Sequence, residues 1–279
     1  MIRLCPGKIS LKSPKLAGLL LMTIIVSLAY PAHGKDISEH HYASGSKMWT
    51  KVKQDYGYFY SPGRLTRLGI AFGVGGIMAN TDLDENFREQ FQKNFRSSGT
   101  DGISENAKLL GEGSYLVPLS LLAAGVGSLY STNPEASVIG EWGRRSARAY
   151  LVGGPALLLM QVVTGGSRPG ERDNASHWDP LNDSNGVSGH AFIGAIPFLS
   201  VGRMSESPFL RYFSYVASTA AGWSRINDDA HYASQVLLGW YMAWEAVSAV
   251  TESGKVDRNF QISPLVSDEW YGLKLSWSW

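Results

Sequence analysis

The sequence predicts an all-α protein, a helical bundle that ends in a short β-hairpin. Apolar segments of helical length recur along the chain, and breaks rich in Gly, Ser and Pro separate them. Residues 82–96 are highly charged, with acidic side chains near the start and basic ones near the end, as the helix dipole favours. Close to the C-terminus, apolar and polar residues alternate with the period of a β-strand.

The composition narrows the functional classes. The chain has 279 residues, of which 44% are hydrophobic and 18% charged, so it can bury a core. A formal net charge of +1 argues against a nucleic-acid partner, because phosphate backbones select basic surfaces. The chain has one cysteine and no Cys/His array, which argues against a zinc finger, a thiol protease or a disulfide scaffold. No metal site and no cofactor are predicted.

Residues 1–34 have the pattern of a secretory signal peptide. Four basic residues precede an apolar stretch at 16–30, and small residues stand at the two positions that a signal peptidase reads, Ala32 and Gly34. An uncleaved membrane anchor is the alternative. Cleavage would remove Cys5, four of the 25 basic residues and none of the 24 acidic ones, so the mature net charge would be −3. We therefore expect an exported protein, periplasmic or associated with the cell envelope.

Residues 35–255 form the predicted helical domain. Its segments are an apolar stretch at 68–80, the charged helix at 82–96, a Gly/Ser-rich connection at 97–113, apolar stretches at 115–130 and 149–163, a polar loop at 165–187, and helices near 188–201, 208–223 and 231–250. Most apolar stretches are shorter than the roughly 20 residues of a membrane span. We expect buried helices of a compact bundle, with a multi-spanning membrane protein as the alternative.

The alternating tail, residues 256–279, is predicted to be a β-hairpin attached to the helical domain. Its Trp277-Ser278-Trp279 ending also resembles an outer-membrane barrel signal. One hairpin does not close a barrel, so we expect the tail to pack on the domain or to contact a membrane.

Three short clusters carry the predicted chemistry. The first runs from Gln161 to Pro169 and contains Arg168, the second is Ser188-Gly189-His190 at a helix start, and the third runs from Ser224-Arg225 through His231 to Gln235. Free backbone N–H groups at a helix start bind anions, and Gly189 leaves room for close approach. The guanidinium groups of Arg168 and Arg225 suit bidentate phosphate recognition.

The two histidines supply acid, base or nucleophile near neutral pH. His231 and Gln235 are four residues apart, so on a helix they share a face. The side-chain oxygen of Gln235 would then hold one ring nitrogen of His231 while the other attacks a substrate. Taken singly, each residue has an ordinary structural role as a cap, a surface charge or a core histidine. Their combination indicates a functional site.

Together the clusters resemble the three-part signature of the type 2 phosphatidic acid phosphatase superfamily. This superfamily includes bacterial class A acid phosphatases, lipid phosphatases and vanadium haloperoxidases. Its pattern is Lys-x6-Arg-Pro, Pro-Ser-Gly-His and Ser-Arg-x5-His-x3-Asp. Arg168-Pro169, Ser188-Gly189-His190 and Ser224-Arg225 with His231 match it in order, within residues 149–250.

Three positions depart from that pattern. Gln161 stands in place of the Lys, Val187 in place of the Pro, and Gln235 in place of the final Asp. Gln161 keeps a hydrogen-bond donor but loses a charge at the phosphate. Gln235 accepts a hydrogen bond from His231 but does not neutralise an imidazolium, and such an exchange costs orders of magnitude in rate at other His–Asp pairs. Asp228 and Asp229 are candidates to compensate for the missing carboxylate.

The resemblance implies a metal-free phosphatase acting on a phosphate ester, with lipid phosphates and diphosphates among the candidate substrates. His231 would attack phosphorus, Gln235 would orient it, and His190 would protonate the leaving oxygen. The phosphate would be held by Gln161, Arg168, Ser188, Gly189 and Arg225. Residues 170–187 border this site and are candidates to select the leaving group.

Two other functions stay open at this stage. One is a vanadate-dependent haloperoxidase, and the absence of the Lys argues against it. Gln161 and Gln235 instead favour a phosphate- or lipid-binding pseudoenzyme of the same fold, because both replacements remove charge.

Overall fold

The computed structural model describes the backbone of residues 45–130, 132–266 and 271–277, and the side chains of residues 48–130 and 132–254. The predicted signal peptide lies outside the described residues. The helices are α1 Gly45–Phe59, α2 Pro62–Ala79, α3 Leu83–Asn94, α4 Ser98–Leu109, α5 Gly113–Leu129, α6 Pro134–Thr164, α7 Gly189–Met204, α8 Pro208–Ala217, α9 Ala220–Asn227 and α10 Ala233–Asn259. Over the part with described side chains every regular element is a helix, which confirms the all-α class.

The tail follows α10 directly. Its backbone forms two antiparallel strands, β1 Phe260–Val266 and β2 Tyr271–Trp277. In the register, Phe260 is opposite Trp277 and Val266 is opposite Tyr271. The side chains of this predicted hairpin lie outside the described residues, and α10 extends four residues beyond the predicted domain end at 255.

Helix α7 occupies the centre of the bundle. It contacts α6, α8, α9 and α10, and its residues 191–192 and 194–202 are buried. Phe192, Ile196 and Leu199 pack in one cluster with Leu238 and Met242 of α10. Here the prediction of buried apolar helices is confirmed, because α7 has neighbours on every side.

Helices α5 and α6 lie unusually close to each other. A Cβ atom added to Gly127 would lie 2.3 Å from the Cα of Gly140, and one added to Gly143 would lie 2.5 Å from the backbone of Ala124. Any larger side chain at Gly127 or Gly140 would therefore push the two backbones apart. This glycine contact fixes α5 on one side of α6.

Three predicted boundaries are wrong. The Gly/Ser-rich connection at 97–113 is mostly helix α4, which begins with a capping box between Ser97 and Thr100. The apolar stretch at 149–163 is only the second half of α6. That helix begins at Pro134 after an Asn133 cap, and Glu141 pairs with Arg144 and Arg145 within its charged first half. The segment at 208–223 is divided into α8 and α9 by a break at 218–219.

The apolar stretches of α2, α5 and α6 are only partly buried, contrary to the prediction. Ile70, Leu122 and Leu158 are each more than 60% exposed, because these helices lie at the periphery and pack on one side only. Helix α6 is long and apolar enough to cross a membrane, and α4 and α5, bent by 45°, meet the same criterion as a pair within the described residues.

The chain directions define two ends of the bundle. The C-terminus of α6 and the N-termini of α7 and α10 meet at one end, which we call the site end. At the opposite end, the far end, Arg148 of α6 pairs with Asp55 of α1, and Arg64 of α2 pairs with Glu245 of α10. These ion pairs tie the helices together away from the clusters predicted to carry chemistry.

Candidate functional site

The three sequence clusters meet at the site end. Helix α6 stops at Gly165, whose φ of 63° is left-handed, and a Cβ there would lie 1.9 Å from the carbonyl oxygen of Asp179. The chain then forms the loop 165–188, which was predicted at 165–187, and enters α7. The backbone N–H of Ser188 donates to the carbonyl oxygen of Gln235 at 2.9 Å, which joins the start of α7 to the first turn of α10.

His231 lies in the loop before α10 and is 7% exposed. Its Nδ1 is 2.7 Å from Oε1 of Gln235. Because an amide oxygen only accepts, the proton is on Nδ1 and the lone pair on Nε2. Burial, together with the charges of Arg168 and Arg225, lowers the pKa of His231 to about 4, against the hydrogen bond that the ring donates to Gln235, which raises it. His231 is therefore a neutral imidazole well into the acidic range.

The Gln235 amide is fixed by its contacts at both ends. Its Oε1 also accepts from the backbone N–H of Tyr232 at 3.2 Å, and its Nε2 donates to the carbonyl oxygen of Ser167 at 2.8 Å. A carboxylate at the same place would face the Ser167 carbonyl oxygen without a proton to donate. The amide thus joins the His231 loop to the residue before Arg168, and this role is not evident from the signature pattern.

His190 stands in the first turn of α7 and is partly exposed. Its Nε2 is 3.8 Å from Oε2 of Glu112, in the connection between α4 and α5. Burial lowers the pKa of His190, as do the charges of Arg225 and Arg168, whereas Glu112 raises it. Glu112 was missed from the sequence because it lies far from all three clusters.

The two predicted phosphate-binding arginines differ in their surroundings. Arg225 is largely buried, and its Nη1 is 3.3 Å from Oδ2 of Asp228. Burial, with a contribution from Arg168, lowers the pKa of Arg225. Among the described residues, nothing accepts a hydrogen bond from the buried Nε of Arg225. Arg168 is exposed, and its Nε donates to Oδ1 of Asn185 at 3.1 Å. The positive charges of both guanidinium groups lower the pKa of His190 and of His231.

The start of α7 has the geometry of an anion site. Ser188 caps the helix by accepting from the Ala191 N–H. A Cβ added to Gly189 would meet only Nε2 of Gln161, at an ordinary contact distance of 3.6 Å, so protein packing does not require glycine there. Gln161 donates from Nε2 to the carbonyl oxygen of Val187 at 2.8 Å. This hydrogen bond ties α6 to the residue just before the start of α7.

The suggestion that Asp228 or Asp229 compensates for the missing carboxylate is wrong. Asp228 accepts from Ser104 at 2.6 Å and pairs with Arg225. Asp229 accepts two hydrogen bonds from Arg88, at 2.6 and 2.7 Å, and has a left-handed φ of 54°. Both carboxylates are engaged away from the His231 ring.

Helix α3 braces the His231 loop. Besides the pairing of Arg88 with Asp229, Oδ1 of Asp84 accepts from the Ser234 N–H at 3.0 Å, and Glu85 accepts from the Tyr232 hydroxyl at 2.8 Å. The sequence predicts a charged surface helix here, yet Asp84 is fully buried. The spacing of Asp84 and Arg88, four residues apart, was the only signal of an inward charged face.

The loop 170–187, proposed as a selector of the leaving group, is held largely by its own polar contacts. Arg172 pairs with Asp179 at 2.8 Å, and Asp183 accepts from Ser167 at 2.5 Å. Trp178 packs where a Cβ on Gly76 of α2 would lie, about 3.1 Å away. These residues shape the loop that presents Arg168.

Among the described residues, no group of three or more His, Cys, Asp or Glu side chains is arranged to hold a metal ion. Comparison of the chain with models of known protein families, with curated proteins and with solved structures finds no match.

Proposed function

We propose that the protein is a phosphatase that hydrolyses phosphate monoesters through a phosphohistidine on His231. The carrying observation is the buried pair of His231 and Gln235, in which Nδ1–H is held by the amide and the Nε2 lone pair is left for attack. A neutral, oriented imidazole is the state that nucleophilic catalysis requires. The resemblance of the three clusters to the phosphatase signature supports the same role.

The phosphate would sit between Arg225, Arg168 and the start of α7. The unpartnered Nε of Arg225 has the chemistry to donate to a phosphate oxygen, and Gly189 offers a backbone N–H at a helix start, whereas the N–H of Ser188 is already bonded to Gln235. Preorganised donors of this kind stabilise the charge of the transition state, and removing one typically costs about 10²–10³ in rate.

The reaction would proceed in two displacements. In the first, Nε2 of His231 bonds to phosphorus while the ester P–O bond breaks, and His190 gives its proton to the departing alcohol oxygen. In the second, the neutral His190 takes a proton from water, the hydroxyl oxygen bonds to phosphorus, and the P–N bond breaks. Phosphate and free His231 result, and His190 is protonated again.

Gln161 and Gln235 favour an alternative function, that of a phosphate-binding protein with weak or no turnover. Gln161 is engaged with the Val187 carbonyl oxygen, and Gln235 brings no negative charge to His231. We favour the phosphatase because Gln235 still fixes the tautomer of His231 that attack requires.

The test is phosphate release by the purified protein with EDTA present. The substrates are p-nitrophenyl phosphate, nucleotides, phosphatidic acid and isoprenyl diphosphate. Wild-type protein should turn over at least one of them, and His231→Ala should lower kcat by at least about 10³-fold. His190→Ala should lower kcat less for the substrate with the best leaving group than for the other substrates.

Trapping with ³²P-labelled substrate, quenched in alkaline detergent because a phosphohistidine is labile to acid and stable to alkali, should find phosphate on the wild type and none on His231→Ala. Full activity of His231→Ala would exclude the assignment. Binding of inorganic phosphate without turnover of any substrate would establish the alternative instead.

A further inference from the structure

The connection between α4 and α5 packs directly on the first turn of α7. A Cβ added to Gly111 would lie 2.8 Å from the carbonyl oxygen of His190 and 3.1 Å from its Cβ atom. One added to Gly194 would lie 2.6 Å from the carbonyl oxygen of Leu110. Any larger side chain at Gly111 or Gly194 would therefore push the connection away from α7. These contacts hold Glu112, the residue after Gly111, beside His190.

The side chain of Glu112 does not cap the helix that follows it. Glu112 is the residue before α5, yet its carboxylate accepts no hydrogen bond from the first backbone N–H groups of that helix. Its Oε1 accepts from the Ser114 hydroxyl at 3.1 Å, and its Oε2 lies 3.8 Å from Nε2 of His190. Capping therefore does not account for the direction of this carboxylate, whereas an ion pair with a protonated His190 does.

His190 receives positive charge from three neighbouring elements. The cations are Arg225 of α9, Arg168 of the loop 165–188 and Lys108 of α4. The start of α7, where His190 stands, is also the positive end of that helix. His231 is neutral above a pH of about 4. Among the described side chains, Glu112 is the carboxylate within ion-pair distance of the His190 ring, and it raises the pKa that burial and the cations lower.

We propose that Glu112 is the positioning residue of the general acid, and that it holds Nε2–H of His190 while Nδ1 carries the proton that is transferred. This inference rests on the proposed phosphatase function. His190 begins as the cation, with a proton on each ring nitrogen. Its Nδ1–H bond breaks as the leaving alcohol oxygen gains the proton, and Nδ1 then takes a proton back from water. The Nε2 proton stays on the side of Glu112 throughout.

The two histidines of the site thus have partners of different charge. Gln235 meets Nδ1 of His231 with a neutral amide, which suits a nucleophile that needs its lone pair. Glu112 meets Nε2 of His190 with a negative charge, which suits an acid that has to keep a proton. The 3.8 Å separation is that of an ion pair, and catalytic contacts of this kind commonly shorten when substrate is bound.

The first experiment compares Glu112→Gln with Glu105→Gln, the matched control. Each variant removes one negative charge, and Glu105 is exposed on α4. The pKa of His190 is measured by NMR titration of protein labelled with ¹⁵N in histidine, and His190→Gln identifies its signal. The pKa should fall by about 0.5–1 in Glu112→Gln, because the stabilising charge is lost, and should not change in Glu105→Gln. An equal pKa of His190 in Glu112→Gln and wild type would overturn the role of Glu112.

The second experiment measures kcat/KM against pH for the same variants. In Glu112→Gln the alkaline limb should move to lower pH by the same amount, which lowers kcat/KM about 3- to 10-fold on that limb. The loss should be greater for nucleotides, whose alcohol leaves poorly, than for p-nitrophenyl phosphate. An alkaline limb that stays in place in an active Glu112→Gln would also overturn the role of Glu112.

The titration is read on the resting protein, so it separates this inference from the proposed function. Phosphate release by the wild type with an unchanged pKa of His190 in Glu112→Gln would overturn the role of Glu112 alone. Absence of release by the wild type would overturn the phosphatase function, and the general-acid role with it, even where the pKa of His190 falls as expected.

Discussion

At the scale of single residues, the contact between the Gln235 amide and the His231 imidazole determines the tautomer of His231. The amide oxygen orients the ring but adds no negative charge, so burial dominates and the pKa of His231 falls to about 4. At His190, burial and Arg225 also lower the pKa, whereas Glu112 raises it. Both histidines are thus weakened as bases, and at His190 the nearby carboxylate of Glu112 opposes that effect.

These pKa directions predict an acidic pH optimum. As the pH falls through about 4, His231 gains a proton and loses its lone pair, so kcat/KM falls. As the pH rises through the pKa of His190, which lies below its ordinary value of about 6.5, the proton for the leaving group is lost and kcat/KM falls again. The measurement is kcat/KM for p-nitrophenyl phosphate from pH 3 to 9, and a maximum above pH 7 would contradict it.

Gln235→Glu moves one limb of that profile. A carboxylate at Nδ1 stabilises the imidazolium and raises the pKa of His231, so the acid limb should move to higher pH while the alkaline limb stays. Because the new carboxylate also faces the Ser167 carbonyl oxygen, the variant should be less stable by about 1–3 kcal/mol. An unmoved acid limb would show that Gln235 does not control His231.

The brace formed by α3 operates at the scale of elements. Two hydrogen bonds from Arg88 hold Asp229 in its left-handed conformation, two residues before His231. Asp84 and Glu85 hold the residues that follow His231. The helix therefore positions His231, the proposed nucleophile, without contacting the proposed phosphate site.

Arg88→Met should misplace His231 and lower kcat by about 10- to 100-fold, with a smaller change in KM, since catalysis is sensitive to displacements near 1 Å. Arg96→Met is the matched control. Arg96 follows the same helix, and its pair with Asp101, at 3.0 Å, is exposed, so kcat should not change. Circular dichroism checks that both variants fold. Equal kcat in Arg88→Met and wild type would leave α3 without a positioning role.

Two buried ion pairs hold the whole molecule together at the end opposite the site. Asp55 is fully buried, its Oδ2 accepts from Nε of Arg148 at 2.7 Å, and it also accepts from Ser253. This cluster joins α1, α6 and α10. The second pair, Arg64 with Glu245, joins α2 to α10. The residues that hold this end together are therefore separate from those of the candidate site.

Asp55→Asn should lower Tm by about 10 °C, because it leaves the Arg148 charge buried without its counter-charge. Below that Tm, kcat should be unchanged. Asp101→Asn, which alters the exposed pair with Arg96, should change Tm by no more than about 2 °C. The readout is thermal unfolding followed by circular dichroism, and a loss of kcat in folded Asp55→Asn would show that the two ends are coupled.

Boundaries were less predictable from the sequence than the helices themselves. The apolar stretches of α2, α5, α7 and α10 were predicted, because apolar residues at helical length leave a local pattern. Helix α4 was missed, since its composition is that of a loop and its stability comes from the Ser97 cap and its packing on α9. Tertiary contacts decided that element, as they often override local propensity.

The sequence by itself determined the helical class and the local order of the three clusters, because periodicity, caps and motif spacing are properties of neighbouring residues. It also predicted the contact between His231 and Gln235, although His231 lies in the loop before α10 and not on the helix. Only the tertiary structure brought Glu112 and α3 to those clusters and joined Gln235 to Ser167. Only it showed that α2, α5 and α6 expose their apolar faces. Contacts between distant segments depend on how helices pack, and burial depends on which neighbours a helix has.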